Sequence, residues 1–439
     1  MTDDTLFHPD IETLSDQDLA ALQARKWPRQ RDYLAAASVF YDRKLGAALR
    51  RELTLDDLQD LPLTDKEELR ASQEADYPYG DYIACPPEKV VRIHRTSGTT
   101  GRALILANSA ADAAIIAQQG ARGMWASGLR PTDRVVHCLN YQMWTGGVTD
   151  HLTLEATGAT VLPYGTGGTG RLIEVIRDLG ITAISCTPSY PALLEKIIRD
   201  EFGLKPRDLG LRLALFGGEA GLDNPAFRKG MEDTWGFGVR NANFGLSEVM
   251  STMGSQCEHT TDLHFLSGDV VFPELLDPAT GQRLKIEEGA SGELVCTHLE
   301  KECQPLVRYR TRDVITVMGT GPCRCGRTSF RFRVTGRTDD MFNVRGVNVF
   351  PSAVQSVIAG AGDIASGHFR IVLSGPGPYD RIAIRAEAAS HVAEQDWSGI
   401  ARELEARIRH TVGASADVEM IPFESLPRTD GKTSVIERI

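Results

Sequence analysis

The sequence predicts a two-domain α/β protein, with a large N-terminal domain on a mostly parallel sheet and a smaller α+β domain at the C-terminus. Three observations carry that expectation. From about residue 107 onward, short β-branched runs alternate with helix-like stretches, the pattern of strands covered by helices. Near residue 340 the pattern breaks and restarts on a smaller scale. The chain's 439 residues also exceed what one small core encloses.

Taken in order, the first ninety residues read as charged helices. "LTLDDLQDLPLTDKEELRAS" places a capping signal at Thr64 ahead of one of them. Five strands are expected in "DRVVHCLNY", "ATVLPYG", "ITAISCTP", "LRLALFGGE" and "VRNANFG", several of them β-branched and bounded by Gly, Pro or Asp. Helical stretches such as "SYPALLEKIIRDEFG" lie between them. From 265 to 335 the character changes to hairpins, with an Asp-Pro-x-x-Gly turn signal in "LLDPATGQRLKI". After "VTGRTDD" come strands "HFRIVLS" and "RIAIRAEA", then a helix in which Ile400, Leu404, Ile408 and Val412 share a stripe. The boundary is expected at 336–340, dividing the chain into 1–335 and 336–439.

Composition excludes several classes. The chain is 42% hydrophobic and 24% charged, which is ordinary for a globular protein. A net charge of −11 does not favour nucleic acid or an anionic membrane as partner. The start, "MTDDTLFHPD", is acidic and lacks the apolar run of a signal peptide. No apolar segment reaches the roughly 18 residues of a membrane span, so a cytoplasmic location is expected. Eight cysteines without a signal point to free thiols or a metal rather than disulfides.

The chemistry concentrates in "HRTSGTTGRALIL", His94 to Leu106. Glycines let successive N–H groups converge on an anion, and hydroxyls add donors. It is not a Walker-type loop, because the only "GKT", Gly431 to Thr433, has Leu426 where the first glycine is required. Five further stretches stand beside it: "LFGGEAG" (215–221), "NANFGLSE" (241–248), "RYRTRD" (308–313), "GRTDDMFNVRGVNVFP" (336–351) and "PRTDGK" (427–432).

These motifs in this order resemble the adenylate-forming superfamily of acyl-CoA synthetases, adenylation domains and luciferases. The wording of "RYRTRD", "GRTDDM" and "RGVNVFPS" is most similar to phenylacetate-CoA ligases. The resemblance implies a large multi-sheet N-terminal domain and a mobile α+β C-terminal domain. It also implies activation of a small carboxylic acid with ATP and Mg²⁺, then acyl transfer from AMP to coenzyme A. Loading of a carrier protein is the alternative.

By the same resemblance, Thr96, Ser97, Gly98, Thr99, Thr100 and Gly101 would hold the phosphates. Gly217, Gly218 and Glu219 would line the adenine, with Phe244 stacking on it, and Asn243 and Gly245 would belong to the same nucleotide-binding set. Ser247 would donate to the α-phosphate, and Glu248 would ligate Mg²⁺. Asp313 would accept from the ribose hydroxyls, and Arg337 would assist there. Lys432 would stabilise charge between the carboxylate and the α-phosphate. Asp339 matches the family's hinge position. No nucleic-acid or membrane partner is implied, and a homodimer is compatible with the sequence.

Two departures bear on specificity. The family's usual Lys-Pro after "SGTTG" is Arg102-Ala103 here, which keeps the charge but not the compact ammonium. In "NYQMWTGGVTDH" (140–151), Tyr141, Gln142, Trp144, Gly146 and Gly147 are expected to line the acid pocket. Gln142, Trp144 and Asp150 change its volume and polarity, so a smaller or hydroxylated acid is expected over phenylacetate.

The cysteines suggest a structural zinc site. "PCRCGRT" supplies Cys323 and Cys325, and "QCEHTTDLHF" supplies Cys257, His259 and His264. Zinc takes four N or S ligands in a tetrahedron. The expected set is Cys257, His264, Cys323 and Cys325, with His259 competing for the histidine place.

Overall fold

The computed structural model describes residues 5–96, 103–219, 222–345, 347–426 and 435–439. All five expected strands form, at Arg134–His137, Thr160–Pro163, Ala183–Cys186, Leu213–Gly217 and Gly238–Leu246. They run parallel, with Arg134–His137 between Thr160–Pro163 and Ala183–Cys186, followed by Leu213–Gly217 and Gly238–Leu246. Ala183–Cys186 and Leu213–Gly217 are buried throughout. That explains why they read as unbroken apolar runs rather than alternating ones. The covering helices include Thr145–Ala156, Tyr190–Phe202 and Pro225–Trp235. The last begins at Asn224, whose side chain accepts from the N–H groups of Ala226 and Phe227, and ends at Gly236 with φ 77°.

Gly238–Leu246 joins two kinds of sheet, since its other neighbour, Met250–Gln256, is antiparallel. Beyond it lie Leu263–Phe265, Arg331–Arg337, Tyr309–Gly319, Ser291–His298, Val271–Leu276 and Arg283–Leu284, completing a twelve-stranded sheet. The last two form the hairpin expected around the Asp277 turn. A two-stranded hairpin, Val90–Arg95 with Ile105–Ser109, brackets the glycine-rich loop.

Helices Asp16–Ala37, Val39–Leu49 and Lys66–Ala75 pack on the antiparallel half. The cap of the third is Asp65, not Thr64. Asp65 accepts from the N–H of Glu68 at 3.0 Å, and Glu68 accepts from the N–H of Asp65 at 3.1 Å. Thr64 is claimed by the sheet instead: its N–H donates to Arg308 O and its carbonyl accepts from Arg310 N, each at 2.9 Å.

The C-terminal α+β domain is a four-stranded sheet in the order Ala416–Ile421, Ile382–Ala388, Ala365–Leu373, Ile436–Arg438, with helices Pro351–Ala359 and Trp397–Val412. It has its own core, in which Ile400, Leu404 and Ile408 are buried and Val412 is half-buried at the edge. Ser352 Oγ donates to Thr335 O at 2.8 Å, and Asn224 Nδ2 donates to Ser356 O at 2.9 Å, tying it to the larger part. Among the described residues, no helix is long and apolar enough to cross a membrane.

Three histidines are buried as neutral rings. His298 accepts from Leu306 N at 2.9 Å and donates to Val249 O at 2.8 Å. His137 donates to the carbonyls of Gly146 and Gly147 at 3.1 and 3.0 Å and faces Ser185 Oγ at 3.0 Å. His94 meets Thr149 Oγ1 at 3.0 Å. Burial pushes each imidazole down to about 4. Unfolded histidine titrates near 6.5, so the unfolded chain binds more protons between about 4 and 6.5, and stability falls as pH drops through that window. Asp150 works the other way. Burial raises its carboxyl to about 8, and the stability this brings is lost as pH rises toward 8. Three groups outweigh one, each histidine contributing up to roughly 3 kcal/mol. The thermal midpoint should therefore fall between about pH 7 and pH 5, and His298→Gln should flatten that slope. An acid slope unchanged after replacing all three rings would count against this account.

Candidate active site

Several chain segments meet where the parallel strands end. The Leu213–Gly217 strand turns at Gly218, which has φ 82°. A Cβ on Gly217 would lie 2.9 Å from Asn243 Cβ on the neighbouring strand, so glycine lets the two backbones approach. Glu219 accepts from Ser189 N at 3.2 Å and Ser189 Oγ at 3.1 Å; burial raises its carboxyl and those two bonds partly restrain the rise. Gly245 sits in a bulge where a side chain would collide with the carbonyls of Met250 and Ser251. Phe244 is half-buried and packs edge-on against Phe332, with ring centroids 5.2 Å apart.

Ser247 and Glu248 occupy the turn that follows. Glu248 pairs with Lys66 Nζ at 2.6 Å and faces the Tyr309 hydroxyl at 3.5 Å. Lys66 opens the capped helix Lys66–Ala75. Sequence reading missed it, because a single lysine on a charged helix carries no local signal; only the fold brings it to this carboxylate. Burial raises the Tyr309 hydroxyl well above its ordinary value, and the charge of Glu248 adds to the effect.

"RYRTRD" divides by direction. Arg308 is buried against Glu274 at 3.1 Å and also donates to the carbonyls of Gln59 and Leu61, so it holds the N-terminal helices to the sheet. Arg310 pairs with Glu293, its Nε at 3.0 Å. Tyr309 and Asp313 are the members that reach the site. Asp313 lies opposite Arg337 in the ladder and accepts from its Nη1 at 2.7 Å. The same guanidinium donates to both oxygens of Asp339 at 3.0 Å each. Burial disfavours the charge on Arg337, but Asp313, Asp339 and Asp340 more than offset it, so the guanidinium is held firmly charged.

On the remaining side, Trp144 precedes the Thr145–Ala156 helix. Its ring packs over Gly146 and lies 3.7 Å from a Cβ placed on Gly218. Gly147 approaches the carbonyl of Asn140 too closely to carry a side chain. Tyr141 bonds His151 Nδ1 at 3.0 Å, whereas Gln142 is exposed. The preceding loop is tied to the glycine-rich hairpin, with Arg95 N donating to Met143 O at 2.9 Å. Thr96 is buried and closes that hairpin: its N–H donates to Leu104 O and its Oγ1 accepts from Leu104 N, both at 3.0 Å. Ser97, Gly98, Thr99, Thr100, Gly101 and Arg102 lie outside the described residues, as does Lys432.

A second cluster lies away from these segments. The ligand atoms of Cys257, His264, Cys323 and Cys325 all fall within 4.8 Å of one another, and all four residues are buried. Cys257 and Cys323 sulphurs are 3.9 Å apart, and Cys325 Sγ is 3.6 Å from His264 Nε2. A zinc tetrahedron with its usual bond lengths has edges of about 3.5–3.8 Å. His259 is not in the cluster; its backbone N–H donates to Cys257 Sγ at 3.4 Å. The Cys323–Thr328 turn also seats the chain's beginning. Arg327 and Glu12 form a fully buried pair at 2.6 Å, and Thr328 Oγ1 donates to Leu14 O at 2.6 Å.

With this geometry in view, the comparisons with known proteins decide the family. Residues 35–298 match the model described as AMP-binding enzyme, and residues 346–437 match the one described as AMP-binding enzyme C-terminal domain. The chain belongs to the AMP-binding enzyme family. It is 34% identical over 447 aligned residues to the phenylacetate-coenzyme A ligase of Thermus thermophilus, covering 97% of each protein. A solved 2-hydroxyisobutyryl-CoA ligase, in its postadenylation state with 2-HIB-AMP, superposes with a TM-score of 0.90 at 27% identity, over 100% of this chain and 93% of that one. The same ligase in its thioesterification state, with 2-HIB-AMP and CoA, gives 0.71 at 28% identity, over 100% and 93%. The arrangement of this AMP-binding enzyme resembles the postadenylation form.

Proposed function

We infer that these segments enclose one reaction chamber in which a carboxylic acid meets ATP. The enzyme is an AMP-forming acid–thiol ligase: it adenylates the acid, releases pyrophosphate, and transfers the acyl group to coenzyme A. The observation that carries the inference is the closeness of Trp144 to Gly218, whose added Cβ would lie 3.7 Å from the indole, and it sets the acid side beside the nucleotide side. An acid bound beside Trp144 would thereby share one cavity with the nucleotide, and such positioning supplies much of the rate enhancement.

In this reading the adenine lies along Gly217, Gly218, Glu219 and Gly245, against the Phe244 ring, whereas Asn243, expected at the nucleotide, turns its amide to Asp150 at 2.6 Å. Asp313 takes the ribose hydroxyls, oriented by Arg337. Ser247 and the Thr96–Gly101 loop face the phosphates, with Lys66 as an added cation. Glu248, a half-buried carboxylate beside them, has the donor type to hold Mg²⁺, which would neutralise phosphate charge. Lys432 stabilises the charge that develops between carboxylate and phosphate. Tyr141, Gly146, Gly147 and Trp144 bound the acid; the indole narrows the space, which favours an acid smaller or more polar than phenylacetate. Gln142, being exposed, contributes at the rim.

In this reading the domain division falls within 336–340, after the Arg331–Arg337 strand ends, and Asp339 is the hinge. Lys432 must reach the acid for adenylation and withdraw for the thiol, so one domain serves two placements. Asp339→Pro fixes φ and is expected to retain pyrophosphate exchange while losing thioester formation. Lys432→Ala should lower adenylation by about 10²–10³-fold while still converting supplied acyl-AMP to thioester. Loss of the same half-reaction in both variants would refute the two-placement mechanism. An AMP-release screen over aromatic, hydroxylated and short branched acids, with coenzyme A present, tests the activity itself.

The Cys257, His264, Cys323 and Cys325 cluster fits a structural zinc, closed by four protein ligands. Metal analysis should find about one zinc per chain. Cys323→Ser with Cys325→Ser should lose it, lower the melting temperature and open residues 5–14 to protease, because Arg327 and Thr328 hold that segment. Folded variant should keep its activity. Purified protein without zinc would end this assignment.

A further inference from the structure

The Thr145–Ala156 helix carries an unusual set of buried polar atoms. Thr145 Oγ1, Asp150 Oδ1 and Thr153 Oγ1 are all buried, and none has a hydrogen-bond partner among the described residues. Asp150 is 2% exposed. Its other oxygen accepts from Asn243 Nδ2 at 2.6 Å. Thr153 packs on Gly120 of the Ala110–Ala126 helix, which leaves Thr145 and Asp150; buried polar groups are nearly always satisfied, so these two indicate something that completes them.

Their placement says what that is. Gly146 and Gly147 precede Asp150 by four and three residues and share its face of the helix. Asn243 is the half-buried member of the pair, and a Cβ on Gly217 would touch its Cβ. No described residue bonds its Oδ1, so the amide offers an acceptor beside the segment that meets the Trp144 ring.

We propose that Asp150 and Asn243 are specificity-determining residues, and that the acid this enzyme activates is a small hydroxy acid whose hydroxyl is bound by this pair. The inference rests on the acid pocket lying against the Thr145–Ala156 helix. A hydroxyl both donates and accepts. It would donate to Asn243 Oδ1 and accept from the Asp150 carboxyl, which burial keeps largely protonated at neutral pH. A plain alkyl or phenyl group leaves both unmet, and a site built to bond a hydroxyl rejects the analogue that lacks it.

The experiment measures kcat/KM for AMP release with Mg-ATP and coenzyme A, using acids in matched pairs: isobutyrate and its 2-hydroxy form, butyrate and its 3-hydroxy form, phenylacetate and its 2-hydroxy form. Wild type should prefer the hydroxylated member of at least one pair by about tenfold or more. Asp150→Ala with Asn243→Val should bring that ratio toward one, with the loss falling on the hydroxy acid. Asp150→Asn, nearly isosteric and still a donor, should keep most of the preference and guards against a folding defect in the double variant. Equal rates within every pair in wild type, or an unchanged ratio in the folded double variant, would overturn the proposal. Failure of wild type to release AMP with any acid would instead overturn the ligase reading, and this inference with it.

Discussion

The guanidinium of Arg337 is the point through which the two parts of the molecule communicate. It sits at the end of the last strand of the large sheet, bonded across the ladder to Asp313 and forward to both oxygens of Asp339. Arg337 and Asp313 are held by strand pairing, whereas Asp339 is held mainly by this fork. Bidentate pairing demands one relative orientation of fork and carboxylate, so it defines the backbone path into the C-terminal domain. Ligand that competes for Asp313 therefore acts on a group that also holds the domain connection.

The rest of the site follows from how the sheet changes character. Its parallel half brings Gly217, Gly218 and Asn243 to one edge, as parallel strands place their carboxyl ends together. Its antiparallel half brings Glu248, Tyr309 and Asp313 to the same edge from the other side. The Gly238–Leu246 strand belongs to both halves, which is why the motif ending it carries contacts of both kinds. Arg95 and Met143 then join the Val90–Arg95 hairpin to the loop before Trp144 through one backbone bond.

Much of this was legible in the sequence, for definite reasons. The five parallel strands announce themselves because burial on both faces demands unbroken apolar runs bounded by Gly or Pro. Cys257 and His264 could be paired with Cys323 and Cys325 across some sixty residues, because zinc chemistry limits the choice; the fold then brings His264, the expected histidine, into the cluster and leaves its competitor His259 out. Thr64 shows a limit of local reading. It has capping chemistry, but the sheet takes its backbone and the helix starts on Asp65. Thr96 shows another, since its hydroxyl closes the loop's base. Lys66 was invisible because its meaning lies entirely in a carboxylate far along the chain.

The seating of the N-terminal segment beneath the Cys323–Thr328 turn has a bearing on how the chain assembles. Glu12 finds its only ion-pair partner among the described residues at Arg327, and Leu14 accepts from Thr328. During synthesis residues 12–14 lack these partners until residues 327 and 328 have been made. Contacts of such large sequence separation close late, after the loop entropy has been met by the core between them. The docking of this segment is thus expected to be among the final steps of folding, and the Glu12 carboxylate stays solvated until the turn that buries it exists.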